Sequence, residues 1–156
     1  MMPELVIYVI LPQERQYEDV FDAVLHATSR AAKGTNSHPM VIMKDALPPH
    51  REGENLADII ASASLVIADT TGAEPNVLYE LGLVQSLGKP LILNHQDDDL
   101  IPSILSEYQT LLYDRSRLTV DLVPRLGAAM AGILGFGPAD SLPAQQGNGR
   151  DASASS

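Results

Sequence analysis

Cysteine is absent from this chain of 156 residues. Disulfides, thiolate metal ligands and a thiol nucleophile are excluded with it. Tryptophan is absent too, and aromatic residues make up only 4% of the chain, so its core must be aliphatic. Lys and Arg number 10 against 20 Asp and Glu, a formal net charge of −10. Nucleic acid backbones are held by Lys and Arg that displace counterions, so no nucleic acid polymer is expected as a partner. No apolar run approaches the roughly 20 residues that cross a bilayer as a helix, and no membrane partner is expected. The opening MMPELVIYVILPQE holds an apolar run without a basic flank or a small-residue cleavage site. It reads as a first strand rather than a signal peptide, and a cytoplasmic location is the expectation. His26, His38, His50 and His95 do not fall at metal-ligand spacing. No Walker-type phosphate loop is present, and neither a metal nor a cofactor is implied.

What is there suffices for one domain, since 45% of the residues are apolar. Residues 5–11 are a continuous apolar run with β-branched members, the pattern of a parallel strand buried on both faces, and Pro12 closes it. Over 17–32, Val20, Phe21, Val24 and Leu25 follow helical spacing. A loop of Gly34, Thr35, Asn36 and Ser37 leads to a second strand over 39–43, ending at Lys44 and Asp45. The segment 46–53 is irregular. Leu56, Ile59, Ile60 and Ala63 mark a short helix, with Asn55 and Asp58 spaced for a reciprocal cap. Later, 94–99 reads as a polar, acidic loop containing His95, 101–105 as a short helix and 109–113 as a fifth strand. Asp121 is placed to cap a last helix with Pro124 in its first turn. Leu122, Leu126, Met130 and Ile133 form its apolar face, and Gly135 ends it.

The organising stretch is residues 64–93, SLVIADTTGAEPNVLYELGLVQSLGKPLIL. An apolar run over 65–68 ends at Asp69. The small turn Thr70-Thr71-Gly72-Ala73 follows, then Glu74, Pro75 and Asn76. Val77, Leu81, Val84 and Leu87 continue at a spacing of three to four. Pro75 suits a first helical turn and Gly88 the residue just past a helix end. This is strand, turn, helix, strand, a βαβ unit with parallel strands. Gly82 is expected to let that helix approach the sheet. Glu80 is out of place in it. At about 100° per residue it sits about 40° from Val84 and about 60° from Val77. A carboxylate on the edge of a buried stripe is costly unless it is paired or faces a cavity. Open α/β sheets bind ligands at this end of their strands.

The run Asp69-Thr70-Thr71-Gly72-Ala73-Glu74-Pro75-Asn76-Val77-Leu78-Tyr79-Glu80-Leu81-Gly82, followed by Gly88-Lys89-Pro90, resembles the nucleoside 2-deoxyribosyltransferase-like superfamily. The resemblance implies that Glu80 is the nucleophile that attacks the anomeric carbon of a ribose or deoxyribose. It implies a catalytic carboxylate at Glu74, six residues earlier, with Asp69 as a third catalytic acid at the strand end. It implies a substrate contact from the Lys44–Asp45 pair as well. By position, the turn with Thr71 and Gly72 ahead of a helix N-terminus suits an anion or sugar, Asn76, one turn before Glu80 on the same face, is a candidate to hold the carboxylate or a sugar hydroxyl, and Tyr79 is a candidate to stack on a base. The expected reaction is N-glycosyl transfer or hydrolysis on a nucleoside or nucleotide through a covalent glutamyl-sugar intermediate. The alternative is a non-catalytic nucleotide-binding or sensing module on the same fold. Family enzymes are commonly homo-oligomers, and residues 97–99 with the last helix are candidate contacts.

Strands and helices alternate throughout, which favours a doubly wound α/β domain. Right-handed crossovers favour a five-stranded parallel sheet in the order 2-1-3-4-5. The superfamily's flavodoxin-like architecture agrees. The loops after Leu11 and Asp69 should then face each other at the switch point. The domain is expected over 1–138. Residues 139–156, rich in Ser, Gly, Ala and Gln, should form a disordered tail. Truncation after Pro138 should leave the melting temperature nearly unchanged; a loss of several degrees in a thermal melt would place the tail within the fold.

Overall fold

A computed structural model describes residues 4–13 and 15–136. The expected boundary at 138 and the tail at 139–156 lie outside the described residues. Five strands form one parallel sheet: β1 Val6–Ile10, β2 Met40–Ile42, β3 Leu65–Asp69, β4 Leu91–Gln96 and β5 Thr110–Tyr113. Their order is β2-β1-β3-β4-β5, every pair parallel, as the alternating pattern requires. The helices are α1 Glu18–Ala32, α2 Leu56–Ser62, α3 Pro75–Ser86 and α4 Val123–Leu134. This is the doubly wound, flavodoxin-like arrangement.

Two cores follow from the two-residue period of the strands. Ile7 and Val9 of β1 and Leu65 and Ile67 of β3 pack under α1 and α4, with Val20, Val24, Leu126 and Met130. The alternate residues, Val6, Tyr8, Ile10, Val66 and Ala68, pack under α2 and α3, with Ile59, Ile60, Val77, Leu81 and Val84. Every residue of β1 and β3 is buried, which is why both read as unbroken apolar runs. The cores are aliphatic but for Tyr8, Tyr17, Tyr113 and Phe136.

The structure corrects several local expectations. β4 does not stop at Leu93 but runs to Gln96, so Asn94 and His95 are strand residues rather than loop. Pairing explains the extension: Asn94 registers with Asp69 of β3 and with Leu111 of β5. Backbone hydrogen bonds on both sides outweigh the low strand propensity of these polar residues. The segment 101–105 contributes one short turn, Ser103–Leu105. The last helix opens with a wide π turn, Leu118–Leu122, which puts Asp121 inside the helix; it pairs with Arg125 four residues on instead of capping. Asn55 caps α2 by accepting the Asp58 N–H at 2.8 Å. Leu87, placed on the apolar rhythm of α3, is exposed, as is Ile133 of α4.

Gly82 faces open space, so it does not bring α3 to the sheet. The close approach occurs instead at Gly127 of α4, where a Cβ would lie 3.3 Å from the Ala27 carbonyl oxygen of α1. Gly88 has φ +66°, a conformation that favours glycine, and it turns the chain from α3 toward β4.

Candidate active site

The strand ends that carry the switch point are β1 and β3, neighbours in the sheet whose connections leave in opposite directions. A hydrogen bond ties their loops. The Gln13 N–H, after β1, donates to Glu74 Oε1, at the N-cap of α3, at 3.1 Å. The facing of these loops expected from strand order is therefore present.

Glu80 lies on α3 and is only 6% exposed, so it is not a solvated helix residue. Pro75 starts the helix and fixes its phase, which turns position 80 toward the sheet with Val77, Leu81 and Val84. Two groups from distant parts of the chain hold its carboxylate. The Tyr8 hydroxyl, on β1, donates to Glu80 Oε1 at 2.8 Å. Lys44 Nζ, just past β2, lies 3.2 Å from Oε2. A buried carboxylate is tolerable only when paired and hydrogen-bonded in this way. Burial, then the bond to Glu80 and its charge, push the Tyr8 phenol well above its usual range. Tyr8 therefore stays a donor. The Lys44 side chain is 39% exposed, against 7% for Glu80, so the pair opens to solvent on the lysine side. Asp45 is exposed beside it, and its charge adds to the shift of Tyr8.

Asp69 is at the same sheet edge but turned to the other core. It is fully buried. One oxygen accepts the Thr71 N–H at 2.9 Å and the other accepts the Tyr113 hydroxyl of β5. Tyr113 belongs to the core under α1 and α4, whereas Tyr8 belongs to the core under α3. The structure thus brings Glu80, Lys44 and Tyr8 together and leaves Asp69 apart from them. With both oxygens occupied and no exposed surface, Asp69 holds the turn after β3 in this conformation.

Burial raises the Asp69 carboxyl above its usual range, outweighing the bonds from Thr71 and Tyr113 and the charge of His95, which lower it. The folded chain then holds this proton more tightly than the unfolded chain. The stabilising contribution is complete below the unfolded value, about 3.9, and is lost as pH rises through the folded one. Asp69→Asn removes the charge; its oxygen can still accept the Thr71 N–H while its amide N–H donates to the Tyr113 hydroxyl oxygen. Its melting temperature relative to wild type should therefore climb as pH rises above about 4. A difference that stays constant as pH rises in thermal melts would contradict the assignment.

The turn itself is pinned by β4. Thr71 Oγ1 accepts the Gln96 N–H at 3.0 Å, and the Gly72 N–H donates to Asp99 Oδ2 at 2.9 Å. Gly72 has φ +79°, which its lack of a Cβ permits. The Thr71 and Gly72 N–H groups, expected to face an anion or sugar, are thus engaged by the carboxylates of Asp69 and Asp99. Asn76, one turn before Glu80, is exposed, and its side chain forms no hydrogen bond with another described residue. Tyr79 is 67% exposed; neighbouring Glu80 in sequence, it is rotated off the buried stripe.

Several residues here went unnoticed in the sequence. Tyr8 is the one polar side chain of β1 and Tyr113 is the buried end of β5, and a buried hydroxyl needs a partner. His95 is fully buried, with Nδ1 2.8 Å from Thr70 Oγ1. Its Nε2 lies 2.8 Å from Asp99 Oδ2, out of line for a good hydrogen bond. Asn94 is also buried, and neither its amide oxygen nor its nitrogen meets a partner among the described residues. No contact in the structure accounts for it.

A cleft of about 340 Å³ lies on the α1 side of the sheet, between the first two turns of α1 and the ends of β1 and β2. Leu11, Pro12, Tyr17, Phe21 and Met43 line it, with Glu18 and Asp22. Met43 enters the cleft while Lys44, the next residue, meets Glu80.

No family model and no curated protein matches the chain. Solved structures do. A CMP N-glycosidase of Clostridium botulinum is 14% identical, with a TM-score of 0.47 over 70% of this chain and 89% of that one. A 2-deoxyribosyltransferase of Leishmania mexicana is 21% identical, with a TM-score of 0.42 over 67% of this chain and 71% of that one. A lysine decarboxylase of Francisella novicida is 12% identical, with a TM-score of 0.45 over 73% of this chain but only 15% of its own length. At these values the chemistry has to be argued from the residues. Among the described residues no helix is long and apolar enough to cross a membrane.

Proposed function

We propose that the chain catalyses N-glycosyl transfer or hydrolysis on a nucleoside or nucleotide, with Glu80 as nucleophile. The observation that carries this reading is the Glu80 carboxylate itself. It is buried on an apolar helix face, held by Tyr8 and balanced by Lys44 at the ligand-binding edge of an open α/β sheet. Ordinary folding gives no reason to place a carboxylate there, because an apolar residue of similar size would avoid the desolvation cost.

The chemistry follows from that placement. A Glu80 oxygen attacks the anomeric carbon through an oxocarbenium-like transition state. The bond from that carbon to the base nitrogen breaks, and its electron pair leaves with the base. Glu74, at the N-cap of α3 and bonded to the Gln13 N–H across the switch point, delivers a proton to the departing nitrogen. Water, or a nitrogen of a second base, then gives its proton to the Glu74 carboxylate and displaces Glu80 from the glycosyl ester, which restores both residues. Tyr8 fixes one carboxylate oxygen throughout, and Lys44, on the open side, gives way to the sugar or pairs with a phosphate on it. Asp69 acts at a distance by holding the turn. No metal or other cofactor enters this chemistry. We also propose a homo-oligomer, with residues 97–99 and α4 as contacts.

The test is incubation of the full chain with a panel of ribo- and deoxyribonucleosides and their 5′-monophosphates, with chromatographic detection of free base. Release of base from at least one member is expected, and base exchange when a second base is added distinguishes transfer from hydrolysis. A panel with no release at catalytic turnover sinks the enzymatic reading.

A further inference from the structure

Successive backbone N–H groups at a turn ahead of a helix attract an anion. In the turn between β3 and α3 the chain supplies that anion itself. The Thr71 N–H is taken by Asp69 and the Gly72 N–H by Asp99 Oδ2, each at 2.9 Å. The two carboxylates differ in kind. Asp69 is fully buried at the end of its own strand. Asp99 comes from the loop after β4, and its side chain is 36% exposed. It is nevertheless held in place. Its own N–H donates to the Gln96 carbonyl at 3.2 Å, and Oδ2 lies 2.8 Å from His95 Nε2. His95 Nδ1 in turn lies 2.8 Å from Thr70 Oγ1. Thr70, His95, Asp99 and Gly72 thus close a ring of contacts over the turn.

This ring is on the sheet face of Glu80. His95 follows Leu93 by two residues on β4, and Leu93 packs with Val77, Leu81 and Val84 of α3. From Pro75 to Glu80 the helix climbs about 8 Å. A furanose with its anomeric carbon at Glu80 and its 5′ carbon toward the helix start would bring that end to the turn. The charges there oppose a phosphate. Glu74 is at the N-cap of α3, and the Lys44 ammonium is paired with Glu80. The arginines beyond β5 are paired as well, Arg115 with Asp19 and Arg125 with Asp121. A phosphate monoester carries about −1.5 to −2 at pH 7. It would meet two carboxylates and two amides already committed, whereas an uncharged 5′ hydroxyl can donate to Asp99. We propose that Asp99 is a specificity-determining residue, which fills the anion position of the turn and restricts the site to nucleosides against their 5′-monophosphates. This rests on reading the Glu80 group as a site for nucleosides or nucleotides.

Binding tests it without requiring turnover. Calorimetric or ligand-observed NMR titration of the full chain with purine and pyrimidine nucleosides and their 5′-monophosphates should show the nucleosides binding roughly tenfold tighter or more. Asp99→Ala removes the charge and releases the Gly72 N–H, so it should bring the ratio to within about twofold, through tighter binding of the monophosphates. Asp99→Asn still offers an oxygen to Gly72, which keeps the turn folded, and should give an intermediate ratio. A purely structural role would weaken both ligands alike and leave the ratio unchanged. Monophosphates that bind wild type as well as nucleosides do, a ratio that survives both substitutions, or no binding of either ligand overturns the inference. Base release measured in parallel separates it from the enzymatic reading. Release confined to monophosphates keeps the catalysis and removes the role of Asp99; a nucleoside preference without any release does the reverse.

Discussion

Glu80→Ala should abolish base release, with a loss of about 10³-fold or more in kcat, because no other described carboxylate meets the sugar-facing position. Alanine also leaves the buried Tyr8 hydroxyl without its acceptor, which costs about 1–3 kcal/mol of stability. Glu80→Gln separates the two effects. Its amide oxygen can still accept from Tyr8, so stability should fall less, while a neutral amide cannot form the glycosyl ester. Both variants should be inactive and both should melt cooperatively. A folded Glu80→Gln protein that releases base at the wild-type rate removes Glu80 from the mechanism. Tyr8→Phe keeps the carboxylate but frees one oxygen, so it should lower kcat far less than either.

The second large effect falls on stability. Leu126→Ala should cost about 2–5 kcal/mol and lower the melting temperature by roughly 10 °C or more. Leu126 is fully buried in the core under α1 and α4, next to Gly127, where a Cβ would lie 3.3 Å from the backbone of α1. A backbone already in contact there cannot move in to fill the space that alanine leaves. Ile133→Ala, on the same helix but 40% exposed, should change stability by well under half as much. Chemical denaturation of both variants checks the contrast, and equal losses would show that the α1–α4 contact does not dominate this core.

These expectations differ in how far the sequence alone supports them. The periodic spacing of Val77, Leu81 and Val84 marks Glu80 as anomalous before any fold is known. Its functional weight comes from Tyr8, 72 residues away, and from Lys44 on a third segment. No local pattern announces either contact. Asp69 shows the opposite case. Its place at the end of an apolar run, ahead of a small turn, is what a catalytic strand-end acid looks like in sequence. The two-residue period of β3 turns it toward Tyr113 and away from Glu80. The cleft beside α1 is assembled from three segments; Leu11, Phe21 and Met43 each belong to a patterned strand or helix, but no local pattern brings them together.

The amino-acid sequence by itself determined the strand and helix alternation, the order 2-1-3-4-5, the bounds of α3 and the exceptional position of Glu80. Each depends on residues within a turn or two, where side-chain period, Pro75 and Gly88 act directly on the backbone. Only the tertiary structure decided that β4 runs on through Asn94 and His95, that the last helix swallows Asp121, and which side of the sheet each carboxylate faces. Those outcomes depend on hydrogen-bond register between strands and on which groups meet across the sheet edge. Propensity is a sum over neighbours in the chain, whereas register and burial are set by neighbours in space, so the partners of a buried charge are fixed only when the whole sheet is assembled.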